Sequence, residues 1–139
     1  MTLADLVAEF VATRSPGWLV LTEAEAAECA VAALRFYAAH GFVASLVVVD
    51  PDGLPVDTSI DLRLIHLAVD LTTGEWSIVR PLFALYVERE QALRLEASRA
   101  AGLDVYGRPV SEIAGDIALM EGSDGVPSRA FAAAAVTVE

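Results

Sequence analysis

The chain has no lysine. Its nine basic side chains are all arginine, set against twenty acids, and the formal charge is −11 over 139 residues. Codon usage of a GC-rich genome accounts for arginine in place of lysine, but the charge balance has its own physical consequence. It repels nucleic acid phosphates, which argues against a DNA-binding domain while permitting a surface that DNA slides past. The acids form no tail, since they exceed the bases by 7 in residues 1–70 and by 4 in residues 71–139. Cys29 is the single cysteine, so an intrachain disulfide is excluded and a reducing compartment is natural. No apolar run approaches the roughly 18–20 residues of a membrane span. The longest, Phe42 to Val49, reads as a strand. The opening "MTLADLVAEF" carries acids and no basic segment, which argues against a secretory leader.

Catalytic signatures are equally scarce. There is no GxGxxG, Walker phosphate loop, GxSxG, HExxH or cysteine pair. Of the two histidines, His40 reads as a helix C-terminal residue and His66 as a structural side chain. Cys29, in "AAECAVAALRF", reads as a small buried residue. Glu23, Glu25 and Glu28 suit the positive end of a helix dipole and lack a histidine at i+3 or i+4 that would make them metal ligands. "Asp50-Pro51-Asp52-Gly53" begins like a calcium loop, but the later glutamate ligand is missing. No residue is therefore assigned to catalysis, to a cofactor or to a metal, and the chain does not read as an enzyme.

What the chain does have is apolar bulk: 55% hydrophobic residues and a mean hydropathy of +0.53. That points either to faces buried against other protein chains or to an unusually Ala- and Val-rich core. Its length suits one domain spanning residues 1–139. Leu3, Leu6, Val7, Phe10 and Val11 form one helical stripe, which predicts a helix over about 2–14 with Thr2 and Asp5 as its capping box and "SPG" as its end. Thr22 and Glu25 form a second T-x-x-E box and open an alanine-rich helix over 22–40 that ends at His40-Gly41. Residues 42–71 read as a β-hairpin or extended region, with Asp50 to Gly53 as the turn. A long helix over 74–101, about 40 Å at 1.5 Å per residue, carries Trp76, Val79, Phe83, Tyr86, Leu93 and Ala97 at 3–4 spacing. Within it, Glu90→Arg94 and Glu96→Arg99 are spaced to brace the exposed side.

"GLDVYGRP" then turns the chain into a helix over 109–121, with Val110, Ile113, Ala114, Ile117 and Met120 on one stripe. Gly102 suits a left-handed C-terminal residue and Pro109 a first helical turn. Tyr106 and Arg108, residue types favoured at interface hot spots, are left for a partner. Residues 123–139 read as a loop and an extended arm, whose Val136 and Val138 could add a strand to a neighbouring subunit. The fold class is mainly α: a helical bundle with one long central helix, the hairpin region and the C-terminal arm.

Residues 71–122 carry "GEW" at 74–76, "RPLF" at 80–83, "LYVERE" at 85–90, "LEASR" at 95–99, Gly102 and "YGRPVSEI" at 106–113. In these features the chain resembles a family of small virion structural proteins of the tailed-bacteriophage neck, the head–tail connectors (adaptor or head-completion proteins). The resemblance implies a helical adaptor in a ring, typically twelvefold, beneath the portal and leading to the tail. It implies self, portal, and tail or neck proteins as partners, with packaged DNA passing the lumen and no membrane or cofactor. The place implied is the neck of a virion, after synthesis in the bacterial cytoplasm. Trp76, Arg80, Tyr106, Arg108, Val136 and Val138 are the expected interface residues. The alternative reading is an acidic helical regulator that binds one partner protein in the cytosol.

Overall fold

The computed structural model of the protein describes residues 1–13, 21–41, 43–46, 48–49, 51–52, 55–57, 65–100 and 108–138. Its helices are α1 (Leu3–Ala12), α2 (Glu23–His40), α3 (Thr73–Ala100), α4 (Val110–Glu121) and α5 (Val126–Val138). The fold is mainly α. No helix among the described residues is long and apolar enough to cross a membrane.

Helices α2 and α3 pack on each other at the centre, α1 lies on α2, α4 on α3, and α5 crosses both central helices. Small residues make this possible: Ala26, Ala30 and Ala33 are fully buried, which lets neighbouring helices approach the α2 backbone closely. The large fully buried side chains come from several elements, among them Leu3, Leu34, Tyr37, Ile65, Leu82, Phe83 and Ile113. At about 1.5–3 kcal/mol for each large apolar side chain removed from water, they are the main stabilising term. Phe83 sits at the focus, edge-on to Phe10 (centroids 4.6 Å apart) and tilted against Trp76 (5.6 Å).

Both capping boxes read from the sequence form: Thr2 with Asp5, and Thr22 with Glu25. The first amides of α1 also donate outside the helix, Leu3 N to Val69 O and Ala4 N to Leu67 O, both at 2.9 Å. The start of α1 is thereby tied to the segment that leads into α3, which leaves few of its end amides unpartnered.

The C-terminal arm is corrected: Val126–Val138 is helix α5, not an extended strand. The β-branched Val136, Thr137 and Val138 drew the strand reading. The alanine run before them has higher helix propensity, Pro127 suits a first turn, and Val126 and Ala130 are fully buried as anchors. Between α2 and α3 the described residues give no β layer. They hold a short 3₁₀ turn at Ala44–Leu46 and an irregular antiparallel contact of Val48–Val49 with Pro55–Asp57. Residues 65–71 run as a turn and then make one bridge, Thr2 with Asp70. The left-handed assignment of Gly102 falls outside the described residues.

Two stripe assignments also shift. Leu93 is 45% exposed and Ala97 is exposed, whereas Gln91 and Ala92 are buried, because the contact face drifts around α3 toward its end. On α4, Ile113 and Ile117 are buried but Ala114 is exposed.

Candidate subunit interface

Of the residues singled out for partner contact, Trp76 and Arg80 stand on the first turns of α3, and Arg108 lies just before α4. At the start of α3, Thr72 and Glu75 close a third capping box: Glu75 N donates to Thr72 Oγ1 (3.1 Å) and Thr72 N to Glu75 Oε1 (2.9 Å). Glu75 Oε2 accepts from Ala44 N at 2.8 Å, and Ser45 Oγ donates to the Asp70 carbonyl at 2.8 Å. The Glu75 side chain is buried (8% exposed), and its charge is held by two main-chain amides. Burial, together with the charge of Glu75, pushes the Tyr37 phenol up to about 12. This T-x-x-E signature was legible in the sequence but was missed.

The same end of α3 brings Trp76 and Arg80 together. They line a cleft of about 270 Å³ with Leu6, Glu9, Phe10 and Leu71. The Arg80 guanidinium lies 5.7 Å from the Phe10 ring centroid, a cation–π arrangement that leaves its donors available. Trp76 is half-buried, with Phe83 behind it and the cleft in front. Main-chain and side-chain placement therefore join these two expected interface residues in one concave site.

Arg108 lies elsewhere, and its donors are already engaged within the chain. It grips Glu88 on α3 with two parallel bonds, Nε to Oε1 at 2.7 Å and Nη2 to Oε2 at 2.9 Å. Nη1 reaches Asp116 Oδ2 at 2.5 Å and Glu112 Oε1 at 3.3 Å, both on α4. The paired carboxylates, Glu88 foremost and then Asp116, raise its already high pKa. At the far end of the same seam the Tyr86 hydroxyl donates to Glu121, and at the near end Val110 N donates to Glu96 Oε1 at 3.3 Å. Burial first, and the Glu121 bond second, raise the Tyr86 phenol above its ordinary range. These contacts lace α3 to α4 as an antiparallel hairpin. Arg94 likewise pairs with Glu25 on α2, so the in-helix brace expected with Glu90 is replaced by an interhelical one.

Tyr106 lies outside the described residues, as do the side chains of Val136 and Val138 within α5. Among the described residues no group of three His, Cys, Asp or Glu side chains is arranged to hold a metal ion. Between α2 and α3 a second cleft of about 270 Å³ is lined in part by Cys29, Tyr86 and Arg89. Burial pushes the Cys29 thiol up to about 11, with the Glu90 charge adding to it, so the thiol is a poor nucleophile at neutral pH. No family model, curated protein or solved structure matches this chain.

Proposed function

We propose that this chain is a structural protein of a tailed-bacteriophage virion, a head–tail connector subunit forming a ring between portal and tail. Self, portal, and tail or neck proteins are its partners, and packaged DNA passes the lumen without specific binding. The observation that carries the reading is the role taken by the charged residues of the resembling segment. Glu75 of "GEW" caps α3 and holds Ala44. Arg108 of "YGRPVSEI" pairs with Glu88 of "LYVERE" and with Glu112 of its own segment in the corner. These residues make joints between elements, as expected of a strut. Trp76 and Arg80 remain open to a partner, and an arm from residues 42–71 reaching a neighbour belongs to this proposal. An acidic lumen repels DNA phosphates, which lets the duplex move without adhering.

The test is light scattering and negative-stain microscopy of the purified protein, alone and with a cognate portal ring. A closed ring, or decoration of the portal, is the expected result. A monomer that ignores the portal overturns the connector reading in favour of the acidic partner-binding regulator.

A further inference from the structure

Helix α2 keeps one face outside the bundle. Ala24, Glu28, Ala32, Arg35 and Ala39 are exposed on it and Val31 is half-buried, whereas Ala30, Ala33 and Tyr37 on the opposite side lie in the core. At 3.6 residues per turn, the first six fall within about 60° of one line down the helix. A shallow groove of about 320 Å³ follows this face, lined by Ala24, Ala27, Val31, Ala32 and Leu67, with Glu28 and Arg35 among its walls. Glu25, at the rim, is held by Arg94 of α3. The face is thus apolar apart from one acid and one base.

Those two charges identify the occupant. Glu28 and Arg35 have no ion-pair partner among the described residues, in a chain whose acids outnumber its bases twenty to nine. Arg89, Arg94 and Arg108, by contrast, all meet carboxylates. Nor can α2 itself supply partners, because pairing on a helix surface needs a residue three or four positions away. Around Arg35 those positions hold Val31, Ala32, Ala38 and Ala39, and around Glu28 they hold no base. Glu28 and Arg35 are seven residues apart, about two turns, so they stand on one line about 10 Å apart along the axis. Two copies of α2 laid antiparallel, with a twofold axis between Val31 and Ala32, set Glu28 of each against Arg35 of the other. The same register sets Ala24 against Ala39 of the second copy. Alanine at 24, 32 and 39 suits the close end of helix packing, about 8 Å between axes. A different protein would need the same two charges in reverse order at the same spacing, whereas a second copy supplies them by symmetry.

We propose that two copies of this chain pair through the exposed face of α2, antiparallel, with reciprocal Glu28–Arg35 contacts. The interface is isologous and closes at two copies. It is therefore a state of the free protein, uses a surface other than the Trp76–Arg80 cleft, and goes beyond the connector reading without resting on it.

The test is sedimentation velocity up to millimolar concentration on wild type, Arg35→Glu, Glu28→Arg and the double variant. Both side chains are exposed, and circular dichroism checks that each variant keeps native helicity. Wild type is expected to form dimers. Each single variant creates two like-charge contacts across the axis and should associate roughly tenfold or more weakly. For Glu28→Arg this runs against net charge, since removing an acid from a chain at −11 would otherwise favour association. The double variant restores both opposite pairs and should dimerise like wild type. An equimolar mixture of the two single variants should also dimerise, because Glu28 and Glu at 35 of one chain then face Arg35 and Arg at 28 of the other. Single variants that associate like wild type overturn the pairing, and so does a double variant or mixture that stays monomeric. A wild type monomeric throughout overturns it as well, and the portal-binding measurement then judges the connector reading separately. Rings that form equally well with all the variants support the connector reading and overturn this contact.

Discussion

Two glycines, one inside α4 and one in the turn that follows it, should respond to the same substitution with opposite signs. A Cβ on Gly125, in the turn between α4 and α5, would stand 2.2 Å from the Met120 carbonyl oxygen, 2.7 Å from its carbon and 2.8 Å from the Leu119 oxygen. All three are main-chain atoms at the end of α4, so no side chain can swing away. The helix end must move by about 1 Å to reach ordinary contact distance. Overpacking of this kind costs about 1–3 kcal/mol, and rigid backbone puts Gly125→Ala at the upper end, about 3 kcal/mol. The strain would fall on the anchors that follow, Val126 and Ala130, both fully buried. Gly115, in the middle of α4, is exposed and has nothing within 4 Å of its would-be Cβ. Gly115→Ala should therefore stabilise by about 0.5–1 kcal/mol through helix propensity alone. Urea midpoints followed by circular dichroism at low micromolar concentration would resolve both. At an urea slope of about 1–3 kcal/mol/M, Gly125→Ala should lower the midpoint by roughly 1–3 M. A Gly125→Ala midpoint within experimental error of wild type would refute the close approach of α4 and the turn.

The Arg108 clamp predicts that Arg108→Ala lowers the urea midpoint, and that Glu88→Gln adds less in that background than alone, since both remove one joint; simple additivity would dissolve the joint. Glu75→Ala leaves the Thr72 and Ala44 amides without their acceptor and should cost about 1–3 kcal/mol, against about 1 kcal/mol for Thr72→Ala, read from the same denaturation curves. Cys29, with its thiol pushed up to about 11, should react with an aromatic disulfide reagent at pH 8 roughly a hundredfold more slowly in the folded protein than in urea; equal rates would place it at the surface. Tyr37 binds its proton more tightly when folded, up to about 12, than its ordinary value of 10. The unfolded state therefore sheds that proton first, and stability should fall as pH rises from 10 toward 12; a flat alkaline limb in thermal denaturation would contradict this burial.

Helix ends were the most legible part of the fold. Thr2-x-x-Asp5 and Thr22-x-x-Glu25 are local devices, complete within four residues, and they act as read. Thr72-x-x-Glu75 belongs to the same class, but only the fold brings the Ala44 amide to the second carboxylate oxygen across 31 residues of chain. The stripe on α1 was legible because one helical spacing holds over its short length, and Leu3, Leu6, Val7 and Phe10 are all buried. On α3 the covering helices change along its length, so a fixed spacing places Leu93 and Ala97 inside when both are outside. Of the expected interface residues, Trp76 and Arg80 were found to share a cleft, whereas Arg108 turned inward to Glu88 and Asp116, partners 20 and 8 residues distant.

Composition and local pattern alone determined a mainly helical chain with an acidic surface, its capped helix starts and its long third helix. Those properties follow from propensity, periodicity and charge within a turn or two of each residue. The tertiary structure decided the rest. It made the last segment a helix, because burying Val126 and Ala130 outweighs the strand preference of three β-branched residues at the end. It set a tight approach at Gly41, where a Cβ would come 3.0 Å from Ala130 as α5 crosses the end of α2. It left Leu119 and Phe131 outside, since only the arrangement of neighbouring helices determines which apolar side chains find cover and which remain for a partner.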